Sequence, residues 1–153
     1  MSFTRRNFIT SSIAFAGAMA LSSTQAFARK VFSSSGIAIR GYDPVAYFKV
    51  SKPVKGKSNL KTKWNGSTWQ FSSQSNLDAF KANPAKYAPA YGGYCAWAMS
   101  QGRVATTVPQ AWDIKGGKLY LNYSLDIRRK WRTNIPKHIK LANAKWPRVS
   151  KSL

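Results

Sequence analysis

Two stretches of the chain alternate apolar and polar side chains around a turn, the pattern of a β-hairpin. In the first, Leu60-Lys61-Thr62-Lys63-Trp64 and Thr68-Trp69-Gln70-Phe71 flank Asn65-Gly66, whose residues tolerate the positive φ of a tight turn. Trp64, Trp69 and Phe71 are its expected buried face. In the second, Trp112-Asp113-Ile114 and Leu119-Tyr120-Leu121 flank Gly116-Gly117. A short strand is expected over residues 36–41, followed by Asp43-Pro44 as a turn or helix start. Residues 29–35 and the lysine-, proline- and serine-rich residues 49–59 read as loops.

Helical spacing appears between and after the hairpins. Ser73 is placed to cap a helix over residues 74–82, with Leu77 and Phe80 on one side and Asn83-Pro84 as its stop. Tyr94, Cys95, Ala98 and Met99 share a face of a short helix at 94–102. Ser124 starts a last strong helix, with Ile127, Trp131 and Ile135 at i, i+4 and i+8, and Pro136 is its expected end. Residues 138–146 form a shorter apolar-periodic stretch. The pattern predicts an α+β fold: one small domain of antiparallel hairpins with short helices packed on them.

The first 28 residues fall outside that pattern. Arg5 and Arg6 precede a mild apolar run over residues 8–21, and Ala26-Phe27-Ala28 is an A-x-A cleavage site. Thr4-Arg5-Arg6-Asn7-Phe8-Ile9 is similar to the twin-arginine consensus; an ordinary secretory signal is the alternative. The apolar run is shorter than the roughly 20 residues of a membrane span. The expectation is a twin-arginine signal cleaved after Ala28, a domain over 29–153 with its core at about 36–147, and a periplasmic location.

The formal net charge is +21, with four acidic residues, all aspartate. Such a balance invites nucleic acid. The export signal, the spread of lysines along the chain and the lack of any nucleic-acid module argue against it. A solvated basic surface explains the charge, and so does attraction to an anionic membrane surface. The densest basic run is Arg128-Arg129-Lys130-Trp131-Arg132.

Candidate chemistry is sparse. Cys95 is the sole cysteine, so no internal disulfide forms. It is either a small buried hydrophobe or a thiolate at a helix start after a Gly-Gly turn. In the second case it would serve peroxide reduction or exchange with an outside thiol, with a depressed pKa. For metal, Cys95 and Met99 lie one helical turn apart. With His138 they would suit copper or haem iron; the alternative is Met99 in the core and His138 exposed between Lys137 and Lys140. The aspartates are scattered, and one histidine supports no Ser/His/Asp arrangement.

Residues from about 41 to 146 resemble the YHS-domain family, in its exported single-domain bacterial branch. The likeness is carried by Gly41-Tyr42-Asp43-Pro44-Val45-Ala46-Tyr47-Phe48, Trp64-Asn65-Gly66-Ser67-Thr68-Trp69-Gln70-Phe71, Asn83-Pro84-Ala85-Lys86-Tyr87 and Tyr91-Gly92-Gly93-Tyr94-Cys95-Ala96. The wider family includes metal-linked domains with three cysteines. By position those correspond here to Ala46, Ser72 and Asn76, none a soft thiolate ligand. The branch includes selenoprotein members, and that likeness points to Cys95. What the residues and the resemblance imply together is a periplasmic binding or accessory protein for a metal or another small ligand, more a binder than an enzyme. The alternatives are a thiol-dependent redox protein and a basic binder of anionic membrane surfaces.

Overall fold

Two sheets, each made around one of the expected hairpins, carry the computed structural model, which describes residues 31–153. The signal expected over residues 1–28 lies outside the described residues. In the first sheet, β1 (Ser33–Ser34), β2 (Ile37–Ala38), β3 (Lys57–Trp64) and β4 (Ser67–Phe71) stand in the order β1-β2-β4-β3. All its pairs are antiparallel except β2 with β4. The second sheet is the hairpin of β5 (Val108–Lys115) and β6 (Lys118–Asn122). Both hairpins close through two residues of positive φ, Asn65 and Gly66 at 48° and 77° and Gly116 and Gly117 at 57° and 70°. That is the turn whose twist matches paired strands.

Helices pack on these sheets, giving the expected α+β class. They are α1 (Ala46–Lys49), α2 (Gln74–Ala82), α3 (Pro84–Tyr87), α4 (Ala96–Ser100), α5 (Leu125–Arg132) and α6 (Ile135–Val149). The side chains of Ser73 and Ser124 accept the amides of Asn76 and Ile127, each satisfying a helix's otherwise unbonded first turn.

Three expectations are corrected. Pro136 does not end a helix: α5 stops at Arg132, Asn134 caps a new helix through the Lys137 amide, and Pro136 sits in the first turn of α6. Proline lacks an N–H, and the first turn has no use for one. Asn83-Pro84 works the same way, ending α2 and starting α3. Residues 31–35 and 49–59 are not simply loops. Val31 and Phe32 are buried, the Phe32 amide donates to the Gly92 carbonyl at 2.9 Å, and β3 begins at Lys57.

The interior forms two clusters. The first gathers Tyr47, Trp69, Phe71, Phe80, Leu119 and Leu121; the second gathers Tyr91, Met99, Tyr120, Trp131 and Ala142, among others. Strand β6 divides them. Its side chains alternate, so Leu119 and Leu121 face the first core and Tyr120 the second.

The basic run of α5 is partly consumed inside the molecule. Asp113 of β5 accepts Arg128 Nε at 2.9 Å and Nη2 at 3.1 Å, and Arg132 Nε at 2.9 Å; Arg129 pairs with Asp126. Burial alone would raise the Asp113 carboxyl, but the two guanidiniums outweigh it and hold it below the ordinary carboxylate value. No described helix is long and apolar enough to cross a membrane.

Candidate functional site

A cavity of about 510 Å³ opens where the two cores meet. One wall is Trp64 and Trp69, carried at the end of the first hairpin. Trp69 Nε1 donates to the Trp64 carbonyl at 3.0 Å, and the two rings meet edge-on at 5.9 Å. The second wall is Tyr91, Tyr120 and Trp146, brought from the segment after α3, from β6 and from α6. Tyr91 lies 6.0 Å from each of the other two rings.

The backbone that aims Tyr91 is strained. Tyr91, Gly92 and Gly93 have successive φ values of 55°, 64° and 87°. A left-handed tyrosine costs about 1–2 kcal/mol, and a Cβ at Gly93 would come within 2.6 Å of Ile39 Cγ2. The segment is held by its surroundings: the Tyr91 hydroxyl donates to Asn143 Oδ1 at 2.9 Å, and Gly92 accepts from Phe32. Burial pushes the Tyr91 phenol above its ordinary value, so it stays a neutral donor. Strain of this kind collects at functional sites.

Lys118, at the start of β6, is the charged residue of the cavity wall among the described residues. Its ammonium donates to the Ala85 carbonyl at 2.9 Å. Among the described residues, no carboxylate lines the cavity. Asp43 and Asp113 are bound within the fold, Asp126 pairs with Arg129, and Asp78 accepts Gln74 Nε2. Sequence reading missed this site because its wall runs from Val31 to Trp146. The aromatic richness of the first hairpin and the Gly-Gly turn were the signals to hand.

The residues singled out from sequence lie elsewhere. Cys95 is fully buried and works as the N-cap of α4. Its sulfur accepts the amides of Ala98 at 3.5 Å and Tyr123 at 3.3 Å, and its S–H donates to Asn122 Oδ1 at 3.6 Å. Burial pushes the thiol pKa up and outweighs these amides, the opposite of the depressed value a redox centre calls for. Met99 is fully buried in the second core. His138 lies on α6 with Nδ1 3.3 Å from Ser100 Oγ; burial and then Lys137 lower its pKa. Among the described residues, no three His, Cys, Asp or Glu side chains gather as a metal site. The Cys95 thiol is therefore expected to resist an aromatic disulfide reagent in buffer and to react once denaturant is added. Cys95→Ser should keep the fold within about 2 kcal/mol, since serine also caps. Full reaction of the native thiol within seconds would contradict this role.

Asp43 is the most heavily bonded side chain beneath the first hairpin. It is fully buried, and Oδ1 accepts the amides of Val45 at 2.8 Å and Ala46 at 3.3 Å, which starts α1. Oδ2 accepts the Ser72 amide at 2.8 Å, Ser72 Oγ at 2.6 Å and Asn76 Nδ2 at 2.7 Å. One carboxylate thus ties α1, the end of β4 and α2 together. The family model of the YHS domain matches residues 45–91, from the start of α1 to the cavity's Tyr91. The chain carries a YHS domain. No curated protein and no solved structure matches the chain significantly.

Within this YHS domain, the positions that resemblance gives to metal thiolates are the ones collected around Asp43. They do not fit a soft metal. Ala46 offers a methyl group, while Ser72 and Asn76 turn O–H and N–H donors toward the carboxylate. Hydrogen bonds to Asp43 stitch the fold at the Ser72 and Asn76 positions that the resemblance assigns to thiolates.

Proposed function

We propose that this YHS-domain protein is an exported binding or accessory protein that holds a small ligand in its aromatic cavity. The cavity itself carries the reading. At about 510 Å³ it falls within the roughly 300–1,000 Å³ of small-ligand sites, and it has their composition: mostly aromatic and apolar walls with a few polar groups. Binding is better supported than turnover, because the single histidine is set against Ser100 and the aspartates are bound elsewhere. A titration with an anilinonaphthalene sulfonate dye tests it. One saturable site is expected, lost in Ala85→Trp, whose indole at the rim fills the mouth. Saturable binding that Ala85→Trp leaves unchanged would refute the assignment.

Export is supported by the arginine pair at residues 5 and 6 and by Ala26-Phe27-Ala28. The double variant Arg5→Lys, Arg6→Lys should accumulate as precursor inside the cell. Its appearance in the periplasm at the normal level, processed after Ala28, would assign the ordinary secretory route instead.

A further inference from the structure

We infer that the end of the molecule around Cys95 docks on an anionic bilayer surface. The inference is independent of the cavity. Val104, Tyr123 and Leu125 are 42, 55 and 50 % exposed, three of the four large hydrophobic side chains left exposed among the described residues. Apolar tips scattered singly over a surface need no partner, whereas a group of them marks an interaction face. The fold brings these three together. The Cys95 amide donates at 3.0 Å to the carbonyl of Ala105, next to Val104, and the Cys95 sulfur accepts the Tyr123 amide at 3.3 Å. Ser124 is extended, with φ −154° and ψ 170°. An extended residue turns its two neighbours, here Tyr123 and Leu125, to one side.

Cations flank the apolar tips. Arg103 adjoins Val104 and is exposed. Lys130, also exposed, lies over the Trp97 ring at 5.6 Å from its centre. The Trp97 amide in turn donates to Asn122, the neighbour of Tyr123, at 3.1 Å. The acid in the first turn of α5, Asp126, is paired with Arg129, so the positive charge of the face is carried by Arg103 and Lys130. A bilayer interface takes both parts at once. Aliphatic and tyrosine side chains enter the headgroup boundary, while cations stay with the lipid phosphates. A nucleic acid would use the cations but offers Val104 and Leu125 no hydrocarbon to enter. The chain's net charge of +21 draws it toward an anionic surface from a distance.

Cosedimentation of the full chain with vesicles of equal parts phosphatidylcholine and phosphatidylglycerol reads the affinity. Every variant keeps the same residues 1–30, so differences between variants report residues 31–153. Arg103→Gln with Lys130→Gln is expected to weaken binding at least about tenfold, and Tyr123→Ser with Leu125→Ser at least about tenfold. Lys61→Gln with Lys63→Gln, an equal loss of charge on the exposed strand β3, should stay within about twofold of wild type. Phosphatidylcholine alone should bind at least about tenfold more weakly, and raised salt should release the protein from the mixed vesicles. Thermal melts of each variant establish that it is folded. An equal loss in the β3 pair overturns the assignment to this face. Binding that survives the loss of Tyr123 and Leu125 but not of the two cations overturns the bilayer in favour of a phosphate polymer. Failure of the wild type to sediment with the mixed vesicles overturns the inference outright and leaves the cavity reading standing.

Discussion

Asp43→Ala is expected to cost at least about 4 kcal/mol, a large part of the 5–15 kcal/mol that holds a typical domain together. The carboxylate accepts five hydrogen bonds, from Val45 and Ala46, from the amide and hydroxyl of Ser72, and from Asn76. Alanine would strand those donors in a buried site, and each unmet buried donor costs about 1–3 kcal/mol. The elements concerned are far apart in sequence: Ser72 lies 29 residues from Asp43, and Asn76 lies 33. The loss would therefore loosen the packing of α1 and α2 on the first sheet together. Asp43→Asn keeps one acceptor oxygen but turns an N–H₂ group toward donors, so its cost should fall between alanine and wild type. Urea unfolding followed by tryptophan emission reads both. A change under about 1 kcal/mol for Asp43→Ala would show that the network does not hold the fold.

Trp131→Ala is expected to cost about 4 kcal/mol, in the usual range for removing a buried large aromatic. Trp131 is the one fully buried residue of α5, whose other positions are largely polar or basic. Its ring packs on Tyr120 at 5.2 Å and anchors the helix to β6. Arg128 and Arg132 add ion pairs to Asp113, and Arg128 and Lys130 lie over the rings of Trp112 and Trp97. Phenylalanine provides a sharper test. Trp131 Nε1 is buried and finds no hydrogen-bond partner among the described residues, so the indole contributes area but carries an unmet donor. Trp131→Phe gives up part of the area and removes that donor, for an expected net loss within about 1.5 kcal/mol. Equal losses for the two variants would mean that the indole N–H is satisfied in solution.

Local chemistry was legible in the sequence, and long-range partnership was not. Asn65-Gly66 and Gly116-Gly117 marked both hairpins because a positive-φ turn demands such residues. Ser73 and Ser124 marked helix starts because a hydroxyl there satisfies a nearby amide. Pro136 was misread because proline is compatible with both ends of a helix; the deciding residue was Asn134, two positions earlier, as the new cap. Asp43 was legible as a turn residue but not as a hub, since Ser72 and Asn76 reach it only through the fold. Cys95 was correctly set at a helix start, but its burial depends on Asn122 and Tyr123, 27 and 28 residues away. The cavity was hidden for the same reason: no periodicity relates the hairpin tryptophans to Trp146 on α6.

The central claim is that the aromatic cavity is the binding site, and the chain's six tryptophans allow one direct measurement. Trp64, Trp69 and Trp146 line the cavity. Trp97 sits under Lys130, Trp112 against Tyr47, and Trp131 against Tyr120. In a ¹⁵N spectrum of the indole groups, addition of the anilinonaphthalene sulfonate dye is predicted to shift the signals of Trp64, Trp69 and Trp146 along one saturable curve, with Trp97, Trp112 and Trp131 nearly unmoved. Movement of Trp97 beside the basic helix, with the three cavity signals unchanged, would contradict the account.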